Sequence, residues 1–138
     1  MQYLIDTNVF SETTKESPDQ RVVDWLDRFG SLLVTSDLVL GEVQFGISRL
    51  RAGARRDYLE GWYRKLLLRF GQNIIPFETR VAIAWGRYRA EWLQKGYEAP
   101  VQDGMIAATA RFHGLTVATR NVADYEKTGC EVLNPFES

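Results

Sequence analysis

Hydrophobic positions fall into two kinds of run along this chain. Tyr3-Leu4-Ile5, Leu32-Leu33-Val34-Thr35, Asn73 to Phe77, Leu115 to Ala118 and Glu131 to Leu133 are short segments that read as strands. The first is continuously apolar, as expected of a strand buried on both faces. Between these segments apolar residues recur at helical spacing. Arg21 to Phe29 carries Val22, Val23, Trp25, Leu26 and Phe29, and Asp37 to about Arg51 carries Val39, Val43, Ile47 and Leu50. Ser36 or Asp37 caps the latter helix. Arg55 to Phe70 has a wide apolar face of Leu59, Trp62, Tyr63, Leu66, Leu67 and Phe70. Glu78 to Lys95 carries Val81, Trp85, Tyr88 and Trp92 and is closed by Gly96. Pro100 opens a helix running to His113-Gly114, and Asn121 to Glu126 forms a short one. Ser11 to Pro18 is polar and reads as a loop or a helix start.

Strands separated by helices of this length imply right-handed crossovers and a parallel sheet covered on both faces. The expected fold class is therefore α/β, a three-layer α/β/α sandwich around a central parallel sheet of four or five strands. A length of 138 residues suits one domain spanning 1–138, and the chain has no repeats, low-complexity tracts or internal linkers. No apolar run approaches the ~20 residues that span a bilayer. The N-terminus meets Asp6 too early for a signal peptide. A single cysteine, Cys130, cannot form an internal disulfide and fits a reducing compartment, so a cytoplasmic location is expected.

Four acids change the picture. Asp6 follows the first strand, at the strand end where parallel sheets gather ligands, with Thr7 and Asn8 beside it. Glu42 borders the buried stripe of its helix, next to Gly41. Asp103 lies in the first turn of a helix, where the dipole favours an anion. Asp124 follows the last long strand segment. Each has an ordinary structural reading: Asp6 as a helix cap, Glu42 as a boundary residue, Asp103 as a dipole match, and Asp124 as part of a capping box with Asn121. If the four converge, their mutual repulsion calls for a hard divalent cation, Mg²⁺ or Mn²⁺, and points to phosphodiester chemistry.

Net charge is −1, but setting the four acids aside leaves 14 acidic against 17 basic residues, a balance compatible with nucleic acid. Arg49, Arg51, Arg55, Arg56, Arg64, Lys65 and Arg69 form a basic stretch that reads equally as phosphate contacts or a solvated face. One His and one Cys exclude a zinc site of the usual composition. There is no G-x-S-x-G, P-loop or G-x-G-x-x-G motif. A phosphoacceptor signalling domain would want an Asp where the middle strand ends in Pro76-Phe77, and a Lys where the late strand is followed by Arg120. A haloacid-type phosphatase would want an Asp in place of Asn8.

Leu4-Ile5-Asp6-Thr7-Asn8, Leu40-Gly41-Glu42-Val43, Asp103 opening a late helix, and Thr119-Arg120-Asn121-Val122-Ala123-Asp124-Tyr125 resemble the PIN-domain family. More narrowly, the chain is similar to VapC-like toxins of bacterial toxin–antitoxin pairs, over essentially its whole length. The resemblance implies a Mg²⁺- or Mn²⁺-dependent endoribonuclease of RNA, a homodimer neutralised by a cognate antitoxin and touching DNA only through it. By position, Asp6 and Asp103 would be the principal metal ligands, with Glu42 and Asp124 completing the pocket and Thr7, Asn8, Thr119 and Asn121 supporting them. A family member acting mainly through complex formation with its antitoxin is the alternative. Part of the apolar face around Trp62, Leu66 and Phe70, together with Trp85 and Trp92, is expected to serve dimerisation or to grip an antitoxin helix, with ordinary burial as the competing reading.

Overall fold

A computed structural model describes residues 1–137. Five strands form one parallel sheet: β1 (Tyr3–Ile5), β2 (Leu33–Ser36), β3 (Ile74–Ile75), β4 (Thr116–Ala118) and β5 (Glu131–Leu133). Their order across the sheet is β3-β2-β1-β4-β5, so the chain winds outward from β1 in one direction and then resumes on its other side. Leu4 pairs with Val34 on β2 and with Val117 on β4, which makes β1 the central strand. Leu4, Ile5, Val117 and Ala118 are completely buried, consistent with a sheet covered by helices on both faces.

The helices are α1 (Thr7–Glu12), α2 (Gln20–Arg28), α3 (Asp37–Ser48), α4 (Ala54–Phe70), α5 (Thr79–Gln94), α6 (Val101–His113) and α7 (Val122–Glu126). The predicted apolar stripes account for their placement. Val39, Val43 and Ile47 of α3, Leu66 and Phe70 of α4, and Val81 and Trp92 of α5 are buried. Ser36 caps α3, its hydroxyl accepting from the Leu38 amide at 3.1 Å. Gly114 closes α6 in the left-handed region at φ 67°, a conformation that favours glycine. Of the apolar residues around Trp62 named above, Leu66, Phe70 and Trp92 are buried while Trp62 and Trp85 are half-buried against the core. Among the described residues no helix is long and apolar enough to cross a membrane.

Three local expectations need correction. Ser11 to Pro18, read as a loop or a helix start, is turn and loop from Thr13 on, but Ser11 and Glu12 are the end of α1, which starts at Thr7, where Asp6 caps it and Val9 and Phe10 are buried. The strand expected over Asn73 to Phe77 is only two residues long. Gly71–Asn73 is a 3₁₀ turn, and Pro76 has no N–H to extend the ladder. The capping box of Asn121 and Asp124 does not form, since neither side chain makes a capping hydrogen bond at the start of α7.

Gly104, in the first turn of α6, links packing to the carboxylate before it. A Cβ built there would stand 3.3 Å from Trp92 and 3.5 Å from Trp85. Gly104→Val is expected to destabilise the fold by about 2 kcal/mol through overpacking, read as a lower urea midpoint.

Candidate active site

The order of the strands reverses between β1 and β4, and the crevice outside their carboxyl ends is where open α/β sheets bind ligands. Asp6 leaves β1 at that point, its amide donating to the Ala118 carbonyl of β4 at 3.1 Å. A cavity of about 420 Å³ opens there, lined by Asp6, Glu42 and Asp103 and by Thr7, Asn8 and Asn121. The fold thus brings three of the four predicted acids to one hollow. Asp124 does not line it, but its charge acts on Asp6 and Asp103.

Asp6 is only 5% exposed and its carboxylate is fixed on both oxygens. Oδ1 accepts from the Thr7 amide at 2.8 Å. Oδ2 accepts from the Thr119 hydroxyl at 2.9 Å and the Tyr125 hydroxyl at 3.2 Å. The Thr119 oxygen in turn accepts from the Asn8 side-chain amide and the Asn121 backbone amide, both at 3.0 Å. Asn8 also accepts from the Arg120 amide at 2.9 Å. Residues separated by more than a hundred positions are thereby locked around one carboxylate. The Thr7 hydroxyl donates to Glu42, tying α1 to α3.

Burial is the main cause that raises the pKa of Asp6, opposed by its donors from Thr7, Thr119 and Tyr125 and reinforced by Asp124. Glu42 is also raised by burial and by Asp6, against the Thr7 hydrogen bond. Asp103 is pushed up to about 6, first by burial and then by the charges of Asp6, Asp124 and Glu42. Among the described residues, no group of three or more His, Cys, Asp or Glu side chains is positioned to hold a metal ion as it stands. The donor set is nonetheless all oxygen and its like charges are poorly balanced, which is the chemistry a hard cation relieves. The site residues fit such an ion by donor type and charge, while Asp6 and Glu42 are engaged by their own hydroxyl donors.

Several residues that contact or line the site escaped the sequence reading. Tyr125 is 1% exposed and directly contacts Asp6. Its pKa is raised, by burial first and then by the Asp6 and Asp103 charges. Ser11, Glu12, Lys15 and Arg120 also line the cavity. Arg120 and Tyr125 lie inside the Thr119–Tyr125 motif, and their adjacency to it was the available signal. The basic stretch is mostly a solvated face: Arg56 pairs with Glu60 at 3.0 Å, while Arg51, Arg64, Lys65 and Arg69 are exposed. Arg55 reaches the Thr14 carbonyl at 3.4 Å. Cys130 is half-buried, its thiol pushed up by burial.

The raised Asp103 predicts a pH dependence of metal-free stability. Between its ordinary value of 3.8 and about 6, the folded state holds a proton that the unfolded state has released. Stability is therefore lost as pH rises through that window. Asp103→Asn removes the repulsion, and in chelator it is expected to stabilise the protein at pH 7.5. The gain, discounted for the half-exposed setting, is on the order of 1 kcal/mol, or roughly 3 °C in Tm. Thermal melts across pH 4 to 7.5 check both the sign and the flattening of the profile in the variant.

Comparison with known proteins agrees with this geometry. A family model described as PIN domain matches residues 3–128. Toxin FitB of Neisseria gonorrhoeae is 36% identical over 138 residues, which cover 96% of this chain and 97% of the relative. VapC ribonuclease Y4jK of Sinorhizobium fredii is 34% identical over 139 residues, covering 97% of each. The solved structure of FitAB bound to an IR36 DNA fragment contains a chain that superposes with a TM-score of 0.89 at 34% identity, covering 98% of this chain and 96% of that one. With a family model spanning most of its length and relatives of this similarity, the chain belongs to the PIN-domain family.

Proposed function

We propose that this protein is a metal-dependent endoribonuclease and the toxin of a toxin–antitoxin pair. The observation that carries the reading is the crowding of carboxyl groups at the β1–β4 crevice, which raise one another's pKa values around a polar hollow. The relative named as a VapC ribonuclease and the one named as a toxin support it over nearly the full chain. In this reading residues 1–138 form a single nuclease domain. Asp6 and Asp103 hold Mg²⁺ or Mn²⁺, Glu42 and Asp124 complete the negative field, and Thr7, Asn8, Thr119 and Asn121 support them.

A bound divalent cation neutralises charge on the phosphodiester oxygens and lowers the pKa of nearby water. The protein's own share is positional. Thr119 and Tyr125 fix Oδ2 of Asp6, and the Thr7 amide fixes Oδ1, so this carboxylate meets the reaction without reorganising. Glu42, raised by burial, is suited to accept a proton from the attacking water. In-line attack forms a new bond from the water oxygen to phosphorus and breaks the bond from phosphorus to the 3′ oxygen, which takes a proton. The products carry a 3′-hydroxyl and a 5′-phosphate.

The same proposal includes partners and location. A cognate antitoxin binds the protein and carries it to DNA, a reading supported by the similar FitAB structure, which is bound to a DNA fragment. A homodimer is supported by exposed apolar residues on adjoining helices, Ile83 and Leu93 on α5 and Val101 and Phe112 on α6. The location is cytoplasmic. A second reading, a non-catalytic subunit acting through the antitoxin complex on DNA, is favoured by the absence, among the described residues, of a ready-formed ligand group for an ion.

Cleavage of total RNA by the purified protein in Mg²⁺ or Mn²⁺, abolished by a chelator, separates the two readings. Asp6→Asn is expected to lower the rate by at least roughly a hundredfold while the fold survives, because Asn also caps a helix. Equal cleavage by variant and wild type contradicts the assignment of Asp6. Absence of cleavage by the wild type in either ion favours the non-catalytic reading.

A further inference from the structure

Four acids, Asp6, Glu12, Glu42 and Asp103, line the cavity against two cations, Lys15 and Arg120. A nucleic-acid strand bears a negative charge at every phosphate, so approach to such a cavity needs cations that are free to meet it. Lys15 is already engaged. Its ammonium stands 2.8 Å from Glu12, a buried carboxylate that also accepts from the Asp19 amide at 2.8 Å.

Arg120 is different in three respects. Among the described residues no carboxylate forms an ion pair with its guanidinium. Its charge is felt by Glu12 and Asp19, behind the closer contacts of Lys15 and Arg21, but neither is in contact with it. The guanidinium lies over the Phe136 ring, 4.0 Å from the centroid, and that ring is itself only 5% exposed. Packing over a fixed ring restrains the guanidinium and removes much of the rotamer freedom that binding would otherwise cost. The Arg120 amide is bonded to Asn8, and its neighbours Thr119 and Asn121 belong to the network around Asp6. The position of this cation is therefore coupled to that of the acidic centre.

We propose that Arg120 is a phosphate-binding residue for the RNA strand. Its guanidinium, held over Phe136 at the acidic cavity, takes a backbone phosphate while the carboxyl groups act on the bond that is cut. A planar fork with two parallel N–H groups suits two oxygens of one phosphate. This rests on the ribonuclease reading, and binding is therefore to be measured apart from cleavage.

The test is fluorescence anisotropy of a labelled single-stranded RNA with full-length protein carrying Asp6→Asn, which binds without cutting. Adding Arg120→Ala is expected to weaken binding roughly tenfold. It should also make the dependence of log affinity on log salt shallower by about 0.7, the loss of one phosphate contact on a single strand. Arg120→Lys should recover part of the affinity and the full salt slope, because it keeps the charge and loses the fork. Phe136→Leu, which leaves the arginine in place, should cost about two- to threefold by freeing the guanidinium. In the cleaving protein, Arg120→Ala should raise KM more than it lowers kcat. Unchanged affinity and salt slope in the Arg120→Ala protein, with a circular dichroism spectrum matching its parent, overturns the proposal. A wild type that binds the RNA but never cuts it ends the ribonuclease reading and leaves the Arg120 measurement intact.

Discussion

Asp6 is a buried carboxylate at the one place where the winding of the sheet reverses, and much of the local structure exists to keep it there. A carboxylate out of water needs its lone pairs met by donors, or it takes up a proton. Here three donors meet them: the Thr7 amide in the first turn of α1, the Thr119 hydroxyl just past β4 and the Tyr125 hydroxyl near the end of α7. The same side chain caps α1, so the helix and the acidic hollow share one residue. Cap and acidic site do not exclude each other here, since one carboxylate both caps α1 and lines the hollow.

Around Asp6 the protein holds more negative charge than it balances. Asp103 lies close enough to feel Asp6, Asp124 and Glu42, and it sits half-buried at the slim first turn of α6, where Gly104 packs against Trp92. Such crowding opposes folding and is tolerated because the inner strands β1, β2 and β4 beneath it are fully buried. Sites that trade stability for chemistry have this character. The cations nearby are arranged unequally: Lys15 neutralises Glu12, a buried acid that braces the loop before α2, and Arg120 is left for something outside the chain.

The order of the strands and helices was legible because each long helix carries an apolar stripe at helical spacing and each inner strand is a short apolar run. The stripe Val39, Val43 and Ile47, and the strand Tyr3–Ile5, are cases where pattern and burial coincide. What could not be read was local chemistry that depends on the fold. Asn121 and Asp124 have the spacing of a capping box, yet the Thr119 hydroxyl takes the Asn121 amide and the box does not form. Tyr125 looks like an ordinary core aromatic, and only the approach of β1 to α7 turns its hydroxyl onto Asp6. The short α1 was signalled only by the reading of Asp6 as a helix cap, because six residues are too few to show an apolar stripe at helical spacing. Three acids were placed in one cavity by topology alone; Asp124 stands behind it and acts through its charge.

Everything proposed for this hollow requires that it bind a hard divalent cation through Asp6 and its acidic neighbours. Calorimetric titration of the chelator-stripped protein with Mn²⁺ at pH 7.5 tests it directly. A saturable site is expected that is lost in the Asp6→Asn protein and weakens as pH falls through about 6, where Asp103 takes up a proton. Heats that are the same for the two proteins, or no binding by the wild type, would contradict it.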